Sequence, residues 1–240
     1  MTHHTFTIGV LGGLGPLATV EFEHRLVRAF HGGDQAIPRI VTVNDGSVAD
    51  RTAFLLSGGD DPLDGLISGG KLLWLAGADV VCVPCNAVHA GRILSRLQAI
   101  VPLPYIDMPA AAISRAEQSK AERTLVLTTS GTRTARIYDD RAVRTRIEYP
   151  SDVGQSLVDS IVVQLKRAEG DKKLMGRELA KLVDNSGCGA AILACTELSL
   201  VRDDVDTLCP LTDAMDELVS RCRALHERYH NLDRIRPTRR

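Results

Sequence analysis

No apolar run in this sequence approaches the roughly 18–20 residues that a membrane-spanning helix needs. Net charge is nearly absent as well: 29 Lys and Arg against 30 Asp and Glu leave −1 over 240 residues. Such a chain has no global field with which to gather nucleic acid or an anionic membrane, and neither is expected as a partner. The opening Met1-Thr2-His3-His4-Thr5-Phe6-Thr7 lacks a basic segment leading into an apolar one and lacks a small-residue cleavage site. No secretory leader is read, and a cytoplasmic location is expected. In that setting the six cysteines, at 82, 85, 188, 195, 209 and 222, are not a disulfide framework. They are packing residues, metal ligands, or groups that attack or carry protons. A full dinucleotide fingerprint is missing too, since Gly13-x-Gly15 lacks the rest, and no sequence element asks for a cofactor or a metal. What remains is ordinary globular composition, 44% apolar and 25% charged, on a chain long enough for one or two domains with a real core.

Strand and helix patterns alternate. Ile8–Leu11 is a short apolar run ending in Gly12-Gly13-Leu14-Gly15-Pro16. Leu17–Phe30 reads as a helix, with Phe22, Leu26 and Phe30 four apart and Pro16 suited to its start. Arg39–Val43, Val80–Pro84 and Pro104–Asp107 read as strands. Asp61-Pro62 starts a helix whose inner face holds Leu63, Leu66, Ile67, Gly70 and Trp74 and which Gly77 closes; Ala90–Ile100 is another helix. The pattern then starts again. Thr124–Thr128, Arg146–Tyr149, Ala190–Ala194 and Leu208–Leu211 are strands. Val153, Leu157, Ile161, Val162 and Leu165 share one helical face, and Asp171 caps a helix reaching about Ser186. A final helix turns Met215, Leu218, Val219, Cys222, Leu225 and Tyr229 inward, and the basic tail Arg234–Arg240 is expected to fray. Alternation of this kind implies parallel sheets with helices on both faces. The expected fold is α/β with two similar lobes, each a four-stranded parallel sheet, related by a pseudo-twofold axis. Residues 1–107 with the C-terminal helix 212–240 would form the first lobe and 108–211 the second, joined around 107–123.

An internal repeat supports duplication. Gly77 through Cys85-Asn86 lines up with Gly187 through Cys195-Thr196: in each case a glycine, eight positions, then a cysteine and a polar residue at the end of a short apolar strand. Ligands of open parallel sheets bind beyond the carboxyl ends of the strands. Two lobes facing one cleft would therefore set Cys85 and Cys195 on opposite sides of a bound molecule. That arrangement suits removal of a proton from one face of a carbon and its return on the other, since a thiol with an ordinary pKa of about 8.5 can serve in either protonation state near neutrality. A single strand-end cysteine is more often inert core; two at equivalent positions are not so easily dismissed. Cys82-Val83-Pro84-Cys85 is also a C-x-x-C, which a redox or zinc site could use. However, Cys82 falls inside an apolar strand and no second close pair accompanies it. Cys82, Cys188, Cys209 and Cys222 are read as packing.

At these residues the chain resembles the aspartate/glutamate racemase family of cofactor-independent two-cysteine enzymes, and within it the aspartate racemase branch. Gly9-Val10-Leu11-Gly12-Gly13-Leu14-Gly15-Pro16-Leu17-Ala18-Thr19 is similar to that branch's N-terminal signature, with Leu14 where methionine is usual. Asp50-Arg51-Thr52, Gly59-Asp60-Asp61-Pro62, Pro84-Cys85-Asn86 with His89, Thr128-Thr129-Ser130-Gly131-Thr132 and Cys195-Thr196-Glu197 follow in the family's order, from about residue 8 to 230. The resemblance implies that Cys85 and Cys195 are the two acid/base residues. It implies that Asn86, Ala87, Thr196, Glu197 and the loop Thr128, Ser130, Gly131 and Thr132 surround the amino acid's α-carboxylate and ammonium. Gly12, Gly13 and Asp50 would line the same place, and Arg51 and Lys166 would take carboxylates of a dicarboxylic substrate. From the residues alone, Lys166 reads as a solvated helix residue and Arg51 as a loop ion pair. Ala87 departs from the family's threonine, so one hydroxyl is lost at the substrate, and Asp45-Gly46-Ser47 also varies.

The expectation is thus an isomerase that interconverts L- and D-aspartate, or glutamate, without pyridoxal phosphate, a metal or any other cofactor. Its partner would be a small dicarboxylic amino acid, and the resemblance implies a homodimer. The alternatives are a same-fold isomerase or decarboxylase that uses one cysteine, and a non-catalytic two-lobed binding protein.

Overall fold

The computed structural model describes residues 5–31 and 33–235, with side chains described as far as residue 229. Strand β1 (Thr7–Gly12) leads through α1 (Pro16–Arg28) to β2 (Arg39–Asn44), α2 (Arg51–Ser57), α3 (Leu63–Leu75), β3 (Val80–Cys82), α4 (Gly91–Ile100) and α5 (Met108–Ala116). The chain continues through β4 (Arg123–Leu127), α6 (Ser130–Thr134), β5 (Arg146–Glu148), α7 (Asp152–Lys166), α8 (Lys172–Asp184), β6 (Ala190–Leu193), β7 (Leu211–Asp213) and α9 (Ala214–Ile235). Residues 236–240 of the basic tail lie outside the described residues.

The strands form two parallel sheets of order β2-β1-β3 and β5-β4-β6-β7. In each half the first strand is central, the second lies on one side of it and the third on the other. All six residues of β1 and all four of β6 are buried, as strands covered by helices on both faces require. The fold is α/β with helices flanking both sheets.

The first sheet has three strands, not the expected four. Pro104–Asp107 meets β3 through one bridge, Val81 with Tyr105, closed by Val81 N to Pro104 O at 2.8 Å and Ile106 N to Val81 O at 3.0 Å. Pro102 and Pro104 have no N–H to donate, so the ladder cannot extend. Proline also moves the last strand: Leu208 is 92% exposed, and β7 starts only after Pro210.

Two side-chain placements differ from expectation. Leu73, not Trp74, completes the inner face of α3 with Leu63, Leu66 and Gly70; Trp74 is 54% exposed. One residue is a turn of about 100° on a helix, enough to carry a side chain out of the core. Val153, in the first turn of α7, is exposed, and Val158 takes a buried place on the face shared by Ile161, Val162 and Leu165. Residues 107–123, expected only to connect, hold α5, whose cap is Asp107 Oδ1 accepting from Ala110 N at 3.0 Å.

One core cluster contains β1 and β3 residues, Met215, Leu218 and Cys222 of α9, and Val126, Ile137, Tyr138 and Ile192 from the second half. A second cluster lies within the second half, around Leu127, Val158, Leu179 and Leu193. Both repeat glycines adopt positive φ, 76° at Gly77 and 64° at Gly187, where each follows a helix and turns the chain into a third strand.

Candidate active site

Each third strand ends just short of a cysteine. Cys85 lies three residues beyond β3 in extended backbone (φ −158°, ψ 109°), and a 3₁₀ turn, Asn86–His89, follows it. Cys195 lies two residues beyond β6, and Leu198 N donates to its carbonyl at 2.9 Å. Both are buried, at 8% and 6% exposure, and both line one narrow cleft. Its walls also include Leu14, Asp50, Arg51, Thr52, Asn86, Ala87, Thr129, Thr132, Lys166, Ala194, Thr196 and Glu197. Thr196 Oγ1 donates to Pro84 O at 3.1 Å, so the residue after one cysteine is tied to the residue before the other.

The cysteines have unequal neighbours. Cys195 Sγ donates to Glu197 Oε2 at 3.0 Å. Burial and that carboxylate push the Cys195 thiol well above its ordinary value, against a smaller opposing pull from Lys166. Lys166, the last residue of α7, interacts with Glu197, Cys195, Asp50 and Cys85. Burial works against its charge, but these acidic neighbours outweigh it and raise its pKa. Asp50 is opposed by burial too, yet the Ala53 N–H it caps and the charges of Lys166 and Arg51 hold its carboxyl below the usual range.

Arg51 is buried, and its terminal nitrogens donate to Val48 O at 3.0 Å, to Ala49 O at 2.9 Å and to Leu14 O. It clamps two loops of the cleft wall through their carbonyls. Its Nε has no partner among the described residues; the same holds for Asn86 Nδ2 and Glu197 Oε1. Three residues of the cleft thus keep two donors and one acceptor buried and unpaired among the described residues, an uncommon condition inside a protein. Glu197 is also why position 15 is glycine: a Cβ there would lie 2.2 Å from Glu197 Oε1.

Of the residues singled out in the sequence, Cys85, Cys195, Asp50, Arg51, Asn86, Ala87, Thr132, Lys166, Thr196 and Glu197 meet in this cleft. Gly13 lines a wider adjoining cavity that shares Leu14, Asp50, Arg51, Lys166 and Glu197 with it. Gly12, Thr128, Ser130 and Gly131 stand behind the wall. A Cβ on Gly12 would fall 2.3 Å from Thr19 Cγ2, and one on Gly131 would fall 2.9 Å from Thr52 Cα. Thr128 Oγ1 donates to Ala194 O at 2.7 Å, and Ser130 N and Oγ both donate to Asp159. Thr129, in the 128–132 loop, lines the cleft as the resemblance implies; Leu14 and Thr52, each inside a quoted motif but given no role of its own, line it too. Cys82 is fully buried with its Sγ 3.0 Å from Cys222 Sγ, which leaves no C-x-x-C pair in the cleft. Among the described residues no three His, Cys, Asp or Glu side chains gather in a way that could hold a metal ion, and no described helix is long and apolar enough to cross a membrane.

A profile of Asp/Glu/Hydantoin racemases matches residues 11–222. The chain belongs to that family. It is therefore counted among the racemases, which are isomerases. Solved structures share its fold. An aspartate racemase from Picrophilus torridus is 22% identical with a TM-score of 0.81, over 92% of this chain and 94% of that one. An aspartate racemase homologue from Pyrococcus horikoshii is 21% identical with a TM-score of 0.70, over 92% and 99%. A glutamate racemase from Francisella tularensis, solved with D-glutamate, is 17% identical with a TM-score of 0.64, over 94% and 82%.

Proposed function

We propose that this racemase interconverts the enantiomers of a dicarboxylic amino acid, aspartate first, by proton transfer between Cys85 and Cys195 at Cα and without a cofactor. The observation that carries the reading is the presence of both buried cysteines in one cleft, with two unpaired donors and one unpaired acceptor beside them. An amino-acid zwitterion is the complement of that set. Its carboxylates accept from Asn86 Nδ2, Arg51 Nε and the Lys166 ammonium, and its ammonium donates to Glu197 Oε1.

In one direction Cys85 acts as thiolate and takes the Cα proton while the Cys195 thiol delivers its own to the opposite face. The reverse reaction exchanges the roles, so protons balance in both. Negative charge develops on the α-carboxylate as the C–H bond breaks, and donors already fixed in a buried site stabilise it without reorganising. Lys166 adds a positive charge close to both sulfurs, which favours the thiolate either must form. Aspartate comes first because two of the neighbouring structures carry that name and because of the order of motifs from Gly9 to Glu197.

The test is to incubate the purified protein with each enantiomer of aspartate and glutamate and to follow optical rotation or separate products on a chiral column. Either hand of aspartate should run to an equal mixture, unaffected by chelator or carbonyl reagent. No interconversion of any of the four would overturn the proposal.

A further inference from the structure

We infer that Tyr138, which does not line the cleft, is a positioning residue that decides which end of the Asn86 side-chain amide faces the substrate. An asparagine amide is nearly symmetric in shape but not in chemistry: one end donates twice, and the other only accepts. In a cleft that receives a carboxylate, the wrong end forward places an oxygen against an anion. Tyr138 Oη donates to Asn86 Oδ1 at 2.6 Å, which holds that oxygen back and leaves Nδ2 forward, buried and without a partner among the described residues. The phenol is fully buried. Burial raises its pKa well above the ordinary tyrosine value, so it is held as a neutral hydroxyl with a proton to donate.

The same stretch of chain also grips the far end of the turn. Arg141 Nη2 donates to His89 O at 3.2 Å, and its Nε donates to both oxygens of Asp107 at 2.8 and 2.9 Å. The Asn86–His89 turn is therefore held at its first residue by Tyr138 and at its last by Arg141, both contributed from beyond β4. The backbone fixes where Asn86 stands; among the described residues, the phenol hydroxyl is the group that distinguishes the two orientations of its amide.

This inference rests on the proposed reading of the cleft as an amino-acid site. Tyr138→Phe removes one oxygen and keeps the ring. The expected result with L-aspartate is a kcat/KM lowered roughly tenfold, the scale of one hydrogen bond to a charged group, because the amide donor holds the carboxylate in the ground state and holds it more strongly as charge develops there. The decisive comparison is a double-mutant cycle. In an Asn86→Ala background, Tyr138→Phe should change kcat/KM by less than about twofold, since nothing is left to orient; calorimetric aspartate binding should follow the same pattern. A purely structural tyrosine would lower activity by the same factor in both backgrounds, so multiplying effects, or an unchanged kcat/KM in Tyr138→Phe alone, would overturn the inference. Melting temperatures of all four proteins separate loss of fold from loss of orientation. A wild type that racemises none of the amino acids brings down the parent reading and this one together; an active wild type with multiplying effects brings down this one alone.

Discussion

Cys195 is hydrogen-bonded to Glu197: the thiol donates to Oε2 across 3.0 Å, two residues apart on one loop. This contact makes two similarly placed cysteines chemically distinct. Cys85 occupies the equivalent position after its own third strand, yet the residue two beyond it is Ala87. The two sulfurs are similarly placed, and the residues after each strand give them different surroundings.

Replacing Glu197 with Gln should shift the limb of the pH–rate profile that reports Cys195 to lower pH. The carboxylate raises this thiol by accepting a hydrogen bond from it and by repelling the thiolate; an amide does neither with charge, so the thiolate forms more readily. Thiolate absorbance near 240 nm across a pH titration checks the sign. A limb that moves upward contradicts it.

Gly15→Ala should harm turnover far more than stability. The new methyl meets the far end of a flexible Glu197 side chain and no backbone, so the fold yields easily while the carboxylate is displaced from Cys195. A fall in kcat/KM of at least about tenfold with only a small change in melting temperature is expected, since small misplacements at reacting groups are costly.

Arg51→Lys should lower stability by about 2 kcal/mol in a urea titration. The guanidinium holds carbonyls of Leu14, Val48 and Ala49 together, and a single ammonium cannot span them. An unchanged midpoint would mean that the clamp carries no weight.

That clamp was not legible in the sequence, where Arg51 reads as an ion-pair former or a carboxylate ligand. Its partners are backbone carbonyls, one of them 37 positions away, and nothing in a residue's type announces such a bond. Periodicity and the glycine-to-cysteine repeat were legible because they are local: Gly77 and Gly187 must turn the chain, and strands of three or four buried residues must follow. The fourth strand of the first sheet is stopped by a local fact too: Pro102 and Pro104 have no N–H to give a ladder, so the segment makes one bridge only. Trp74 was misplaced by a single helical step. Tyr138 carried no signal, since its link to Asn86 crosses 52 positions and depends on how two halves of the chain pack.

His89 should make the folded protein sensitive to mild acid. It is fully buried, and burial is the main reason its pKa is pulled down to about 4, with Asp107 and Val83 O opposing and Arg141 assisting. Between about 4 and the ordinary value of 6.5 the unfolded chain binds a proton that the folded protein refuses. Stability contributed by the neutral imidazole is therefore complete above about 6.5 and is lost as pH falls towards 4. Denaturant titrations of wild type and His89→Gln at a series of pH values should show the variant losing less over that interval; parallel curves would contradict the assignment.

The most direct measurement is Cα exchange in heavy water by proton NMR, with wild type, Cys85→Ser and Cys195→Ser each given L- and D-aspartate separately. The wild type should place deuterium at Cα as either enantiomer converts. Each variant should lose interconversion by at least about a thousandfold, and any residual exchange should be confined to one enantiomer, opposite for the two variants, because each remaining sulfur reaches one face. A variant that still racemises at the wild-type rate, or two variants that exchange the same enantiomer, would contradict proton transfer between two opposed cysteines.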